Sequence, residues 1–438
     1  MSTFLINAAY ENAKQTLKGH ETLTLSLEEG ERLITLLENP PEPNDKLKAA
    51  MNKAAIKLRK LLRKNFSDQF ELDVGTENFV LLTIVSEKFQ NQTRNQRLQP
   101  VEPLIKEAGL IAGIIELYTP TEAANENINL CTAENFIPTS WEEAIDMLSS
   151  GKTITTRKHP IKRVVFYSYK GGVGRTTALI QTAFQLARAG KRVALVDMDV
   201  EAPGLQALLP EADTSLETGL IDYLWERQTV FFDKEHPPQI HLSGSHQGQR
   251  SGIVYSITDP STLRELFVIP AGKIGQRYIQ RLSVLNTAQL FASSKEPWYQ
   301  FEQALWEQIQ PDIMLIDART GLNEWGGLSL LCLADEAFIT LYPSKQNTEG
   351  VCLIRDVLEK LGYTRPKLVL SPVPEGIIGT SLVEKIEPYL KLGKDEETIK
   401  IPYHPNIVGS HKFPVETALA YYAPLANTLL ESSNVVVD

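Results

Sequence analysis

Between residues 163 and 402, short and continuously apolar runs alternate with stretches whose apolar positions recur at helical spacing. RVVFYS (163–168) and RVALVD (192–197) read as buried strands, and TTALIQTAFQLARAG between them reads as a helix. The same alternation predicts strands at LFVIPA (266–271), DIMLID (312–317), EAFITLYP (336–343), KLVLS (367–371) and IKIP (399–402). Helices are expected around 297–309 and 348–361. Strands that are apolar on both faces need cover on both sides. The expected fold class is therefore α/β, a mostly parallel sheet covered by helices on both faces. Residues 226–262 carry Pro, Gly, Ser and His without a period and read as an insertion.

Ahead of this block, polar SSGKTITTRKHP (149–160) ends in Pro160 and reads as a linker. In LSLEEGERLITLLENPPEPNDKLKAAM (25–51), Ser26 is placed to cap a helix, with Glu29 completing a capping box. That helix stops at Pro40-Pro41. KLKAAMNKAAIKLRKLLRKNF follows, with Leu47, Met51, Ala54, Leu58, Leu61 and Leu62 on one face. Lys53, Lys57, Lys60 and Lys64 recur on the other, which is either a solvated helix surface or a nucleic-acid contact. Strands FELDVG and FVLLTIVSEKF, a helix near 100–108 and the strand IAGIIELYT complete an αββαβ order, and WEEAIDML (141–148) is a short helix leading into the linker. The expected layout is a helical arm at 1–53, a small α+β domain at 54–148, the linker at 149–160 and the large α/β domain at 161–438.

The chain has 438 residues and a net charge of −10, which argues against a surface coated in positive charge for nucleic acid. Cys131, Cys332 and Cys352 form neither a disulfide framework nor a CxxC site, so a reducing cytoplasm is the expected location. The N-terminus lacks the pattern of a signal peptide, and no stretch is apolar enough to cross a bilayer. ALAYYAPLANTLLESSNVVVD contains no Lys or Arg, so no basic membrane-seeking helix is expected there.

The chemistry concentrates in YSYKGGVGRTT (167–177). Gly171, Gly172 and Gly174 let the chain wrap with its N–H groups inward around Val173, and the following helix brings its positive end to an anion. Thr176 is placed to ligate Mg²⁺ and Thr177 to bond the first phosphate. A dinucleotide fingerprint would need glycine at Thr177. Arg175 stands where such loops carry lysine. It cannot lose its charge, and its planar fork suits two phosphate oxygens. Asp317 ends one buried strand, and Asp197 and Asp199 end the strand after the loop helix, which together make a metal and water site.

Lys170-Gly-Gly-Val-Gly-Arg-Thr-Thr, the Asp-x-Asp pair and the apolar strand ending in Asp317 resemble the ParA/MinD-type deviant Walker A ATPases, in the variant where KGGVGK becomes KGGVGR. GLIDYL (219–224) and IPAG (269–272) add to the likeness. The resemblance implies a P-loop NTPase fold, ATP with Mg²⁺, and an ATP-dependent homodimer in which Lys170 reaches the partner's phosphates. It also implies that Asp199 orients the attacking water and that Asp317 is the Walker B acid. Arg319, in DARTG (317–321), is either an arginine finger or an internal ion pair that pins a switch loop. SPVPEG (371–376) lies where such proteins contact the base. Slow turnover is expected from the bulkier Arg175, since a misplacement of about 1 Å costs roughly 100-fold, and a switch that binds nucleotide without significant turnover is the alternative. LENPPEPN and its surroundings resemble the tail of TacA-type antitoxins, which implies a protein partner of the acetyltransferase-toxin class. VSEKF and LYTPTE in the αββαβ segment resemble BolA-like domains of KH-like fold. Nucleic acid is the alternative partner for these modules, and no membrane partner is expected.

Overall fold

The computed structural model describes residues 45–434 except 67–69, 75–78, 126–136, 155–160, 210–215, 231–239, 243–244, 247–248, 292–296, 406–414 and positions 150, 152, 251, 286 and 395. Most of the expected arm, with the Ser26–Glu29 box, lies outside the described residues, as do Cys131 and much of the linker. The chain divides into two compact units, 1–134 and 135–438.

In the first unit, α1 (Asp45–Phe66) packs beside a three-stranded sheet of β1 (Phe70–Val74), β2 (Phe79–Val85) and β3 (Ile111–Tyr118). β1 and β2 are antiparallel, whereas β2 and β3 are parallel. A parallel pair needs a crossover, and α2 (Glu102–Ala108) lies on it. Leu58, Leu62 and Phe66 of α1 are buried with Leu82, Ile84 and Ile105, while Lys57, Lys60 and Lys64 are exposed. Arg97 donates to both oxygens of Glu122 at 2.6 and 2.8 Å and holds that carboxyl down at about 2.

The second unit starts earlier than the composition suggested. α3 (Trp141–Ser149) belongs to it, because Ala144 and Met147 are buried in the same core as Val165 and Ile316. Trp141 also closes over Gly327, where an added Cβ would stand 2.8 Å from the indole nitrogen.

The large sheet comprises β4 (Lys162–Ser168), β5 (Val193–Met198), β6 (Tyr255–Thr258), β7 (Glu265–Ile269), β8 (Ile313–Ala318), β9 (Glu336–Leu341), β10 (Lys367–Val373) and β11 (Ile399–Pro402). Their spatial order is β11-β10-β9-β4-β8-β5-β7-β6. All neighbours are parallel except β6, which runs antiparallel to β7. The region read as an insertion thus supplies an edge strand. The helix Leu220–Val230 also runs into that region.

Alternation along β4 sends Val164 and Phe166 to one face and Val165 and Tyr167 to the other. The first face is covered by α4 (Arg175–Arg188), which in turn lies under α5 (Val415–Asn434) through Tyr422, Leu425, Ala426 and Leu429. The other face carries the helices Pro297–Ile309 and Lys345–Leu361, through Trp298, Phe301, Leu305, Ile354 and Leu358. Seven parallel strands place their C-terminal ends on one edge, and the loops of interest emerge there.

Candidate phosphate site

β4 ends at Ser168, and the chain turns through Tyr169–Gly174 into α4. Gly172 and Gly174 have φ of +77° and +80°, a region in which a side chain would strain the backbone. Gly171 and Gly172 have open space where a Cβ would stand, with no described residue within 4 Å, which leaves a hollow above them. Gly174 instead meets Ser371 Oγ, 3.1 Å from an added Cβ, which brings the end of β10 against the loop. Val173 is buried and Lys170 half-buried, and Lys170 makes no hydrogen bond or ion pair among the described residues. The first N–H groups of α4 have no partner within the helix, and no side chain caps them at Gly174, so the positive end of the helix lies at this turn.

Asp197 and Asp317 are register partners on adjacent strands β5 and β8, so their side chains share a face. Asp197 is 1% exposed and accepts from the Asp199 and Leu205 N–H groups at 3.1 and 3.2 Å. Burial pushes its carboxyl up to about 7, and the charge of Asp317 adds to this. Asp317 accepts from the Thr176 hydroxyl at 2.7 Å and from Arg175 Nε at 2.6 Å. Burial raises its pKa as well, with Arg175 opposing.

Arg175 then spans to Asp199, where Nη2 donates to Oδ2 at 2.8 Å. Burial alone would weaken its charge, but Asp317 and Asp199 overcome that and hold the guanidinium more firmly protonated. Its Nη1 is buried and has no partner among the described residues. Arg319 Nη1 donates to the other oxygen of Asp199 at 2.9 Å, and Arg319 Nε lies 3.2 Å from Glu201. Of the two sequence readings of Arg319, this geometry is the internal ion pair. The expected grouping of Arg175, Thr176, Asp197, Asp199, Asp317 and Arg319 is present, with Thr177 half-buried on the same first turn of α4. The fork of Arg175, expected to face phosphate, instead closes on two carboxylates.

Two contributors had no sequence signal, and a third comes from the segment SPVPEG, read for the base and not for the loop. Glu201 pairs with Arg319. Tyr278 donates its hydroxyl to Val200 O at 2.6 Å and so ties down the loop after Asp199. Ser371 backs Gly174. GLIDYL and IPAG prove to be neighbours, since Leu220 and Ile221 N–H donate to Pro270 and Ala271 O at 2.9 and 3.0 Å. A cavity of about 340 Å³ lies beside them, reaching Asp197.

Among the described residues no group of three His, Cys, Asp or Glu could hold a metal by itself. Thr176 Oγ1 and Asp317 Oδ2, 2.7 Å apart, are hard oxygen donors that suit Mg²⁺ if phosphate oxygens and water complete its shell. No helix among the described residues is long and apolar enough to cross a membrane.

Residues 164–408 match the family model described as CobQ/CobB/MinD/ParA nucleotide binding domain, and residues 1–55 match one described as Antitoxin TacA 1-like. A putative septum site-determining protein MinD from Nephroselmis olivacea is 27% identical over 215 residues, 49% of this chain and 64% of that protein. A probable antitoxin TacA from Sinorhizobium fredii is 38% identical over 52 residues, 12% of this chain and 49% of that protein. The chain thus spans less than two thirds of the length of either relative. Among solved structures, MinD from Pyrococcus horikoshii complexed with Mg-ADP is 17% identical at a TM-score of 0.43, over 64% of this chain and 99% of that one.

Proposed function

The chain belongs to the CobQ/CobB/MinD/ParA nucleotide-binding family, and from that premise we propose that it is a slow ATPase acting as a switch, dimerising on nucleotide and recognising a protein through its N-terminal modules. The observation that carries this reading is the buried Nη1 of Arg175, without a partner among the described residues, beside a glycine hollow at the start of a 14-residue helix. A buried donor without an acceptor is costly unless a ligand supplies one. A phosphate does so.

In this reading the N–H groups of Gly171–Gly174 and the hydroxyl of Thr177 hold phosphate oxygens, and Arg175 bonds two of them. Thr176 and Asp317, with Asp197 behind, hold Mg²⁺, which supplies charge neutralisation on the phosphates. Asp199 orients the attacking water, and Lys170 reaches the nucleotide of a second copy. Ile274, Leu322, Ile377 and Ile378 are 65%, 49%, 89% and 70% exposed, and each follows the C-terminal end of a sheet strand. Apolar side chains on the edge that carries the loop support self-association there. The TacA-like match over 1–55 supports a protein partner of the acetyltransferase-toxin class. The likeness of the αββαβ unit to BolA-like domains is part of the same proposal.

Phosphate release from ATP should be slow but measurable, and should fall to background in Asp199→Ala and Arg175→Ala. Three indistinguishable traces would remove the catalytic claim.

A further inference from the structure

Arg319 reaches Asp199 at 2.9 Å and Glu201 at 3.2 Å from the loop after β8. Its side chain is 25% exposed, so its aim depends on how firmly the loop backbone is seated. One end of that loop is tied to β4, since Gly321 N–H donates to Ser168 O at 3.1 Å. The other end passes through Asn323, whose side chain accepts from Gly326 N–H at 2.8 Å, into a short helix, Glu324–Leu328. The helix runs on as a wider π turn over Ser329–Leu333.

Two adjacent glycines let this stretch be gripped from two sides. An added Cβ at Gly326 would stand 2.8 and 2.9 Å from Arg319 O and Gly321 O. One at Gly327 would stand 2.8 Å from Trp141 Nε1 and 3.0 Å from Trp141 Cδ1. The helix therefore rests on the Arg319 loop with one residue and against the Trp141 indole with the next. Pro138 O accepts from Cys332 Sγ at 3.4 Å, so the stretch before α3 also meets the far end of the π turn. That stretch is itself fixed. Glu143 accepts from the N–H and hydroxyl of Thr139 at 2.8 and 2.9 Å, and its own N–H donates to Ser140 Oγ at 3.2 Å. Packing this close passes a displacement on rather than absorbing it. We infer that Trp141 is a positioning residue: through Gly327 and Gly326 it seats the backbone from which Arg319 holds Asp199. The indole Nε1 has no partner among the described residues, so the contact is one of shape, which a phenylalanine can supply. The effect on chemistry rests on the role proposed above for Asp199.

The first test needs neither nucleotide nor turnover. Urea unfolding of the second unit is followed in wild type, Trp141→Ala, Arg319→Gln and the double variant. Arg319→Gln should lower the folding constant less in the Trp141→Ala background, by at least about threefold, whereas independent sites add within about twofold. Trp141→Phe should restore the full cost. The same cost in both backgrounds, nil included, overturns the inference. The second test separates turnover from binding. Phosphate release at saturating ATP should fall about tenfold in Trp141→Ala and recover in Trp141→Phe, a part of what a 1 Å misplacement costs. Isothermal titration should find ADP with Mg²⁺ bound within about twofold of wild type. Undiminished release, or a loss of ADP affinity as large as the loss of rate, overturns the positioning role. Wild type that releases no phosphate removes the ATPase reading instead, and the unfolding comparison then decides the positioning alone. If Trp141→Ala does not unfold cooperatively, Trp141→Leu takes its place in both tests.

Discussion

Asp197 shows how a single residue can set a pH response. Its carboxyl is raised from 3.8 to about 7 by burial and by Asp317. The fold therefore favours the protonated form. The stability this contributes is complete below pH 3.8 and is lost as pH rises to about 7. Asp197→Asn does not titrate. The melting temperature of the variant minus that of wild type should therefore climb between those two pH values and then level off. Melts across the range check this, and a flat difference would contradict it. The residues of the site were legible because each sits at a strand end or in the strand–helix turn, where residue type and position together imply chemistry. The direction of the Arg175 fork was not legible, since it depends on carboxylates that arrive from two other strands. Tyr278, 78 residues from Val200, has no local pattern that could announce its role.

Elements were read correctly where burial on both faces left an uninterrupted apolar run, as in β4, β5 and β8. β6 escaped notice because it has four residues, two of them exposed, inside a polar stretch. α3 was assigned to the wrong side of a boundary for a different reason. Its amphipathic face does not say which core will take it. Packing between elements makes sharper predictions than their outlines do. An added Cβ at Gly219 would stand 2.5 Å from Gly272 Cα and from Pro270 O, backbone atoms that cannot swing aside. Gly219→Ala should destabilise the second unit by about 1–3 kcal/mol, measured by urea unfolding. Gly171→Ala has open space and should leave stability unchanged while weakening nucleotide binding. Equal stability losses in the two variants would contradict this account of the loop.

For the whole molecule, the proposal makes oligomeric state depend on nucleotide. Light scattering on the 49.0 kDa chain should report a monomer alone and a doubled mass with ATP and Mg²⁺. Lys170→Ala should still bind nucleotide but stay monomeric, since Lys170 has no partner within its own chain among the described residues. A monomer under saturating ATP would remove the role given to Lys170.

The burial of α4 between the sheet and α5 bears on how the protein meets its ionic surroundings. Mobile ions screen exposed charges over a Debye length of about 8 Å at physiological ionic strength. They can reach this helix at its first turn and at its far end, where Ala189 and Gly190 are exposed, because both flanks between are covered by protein. The pull of its amino end on an anion should therefore persist in concentrated salt, and nucleotide affinity should decline far less steeply with added KCl than it would on a helix lying bare at the surface.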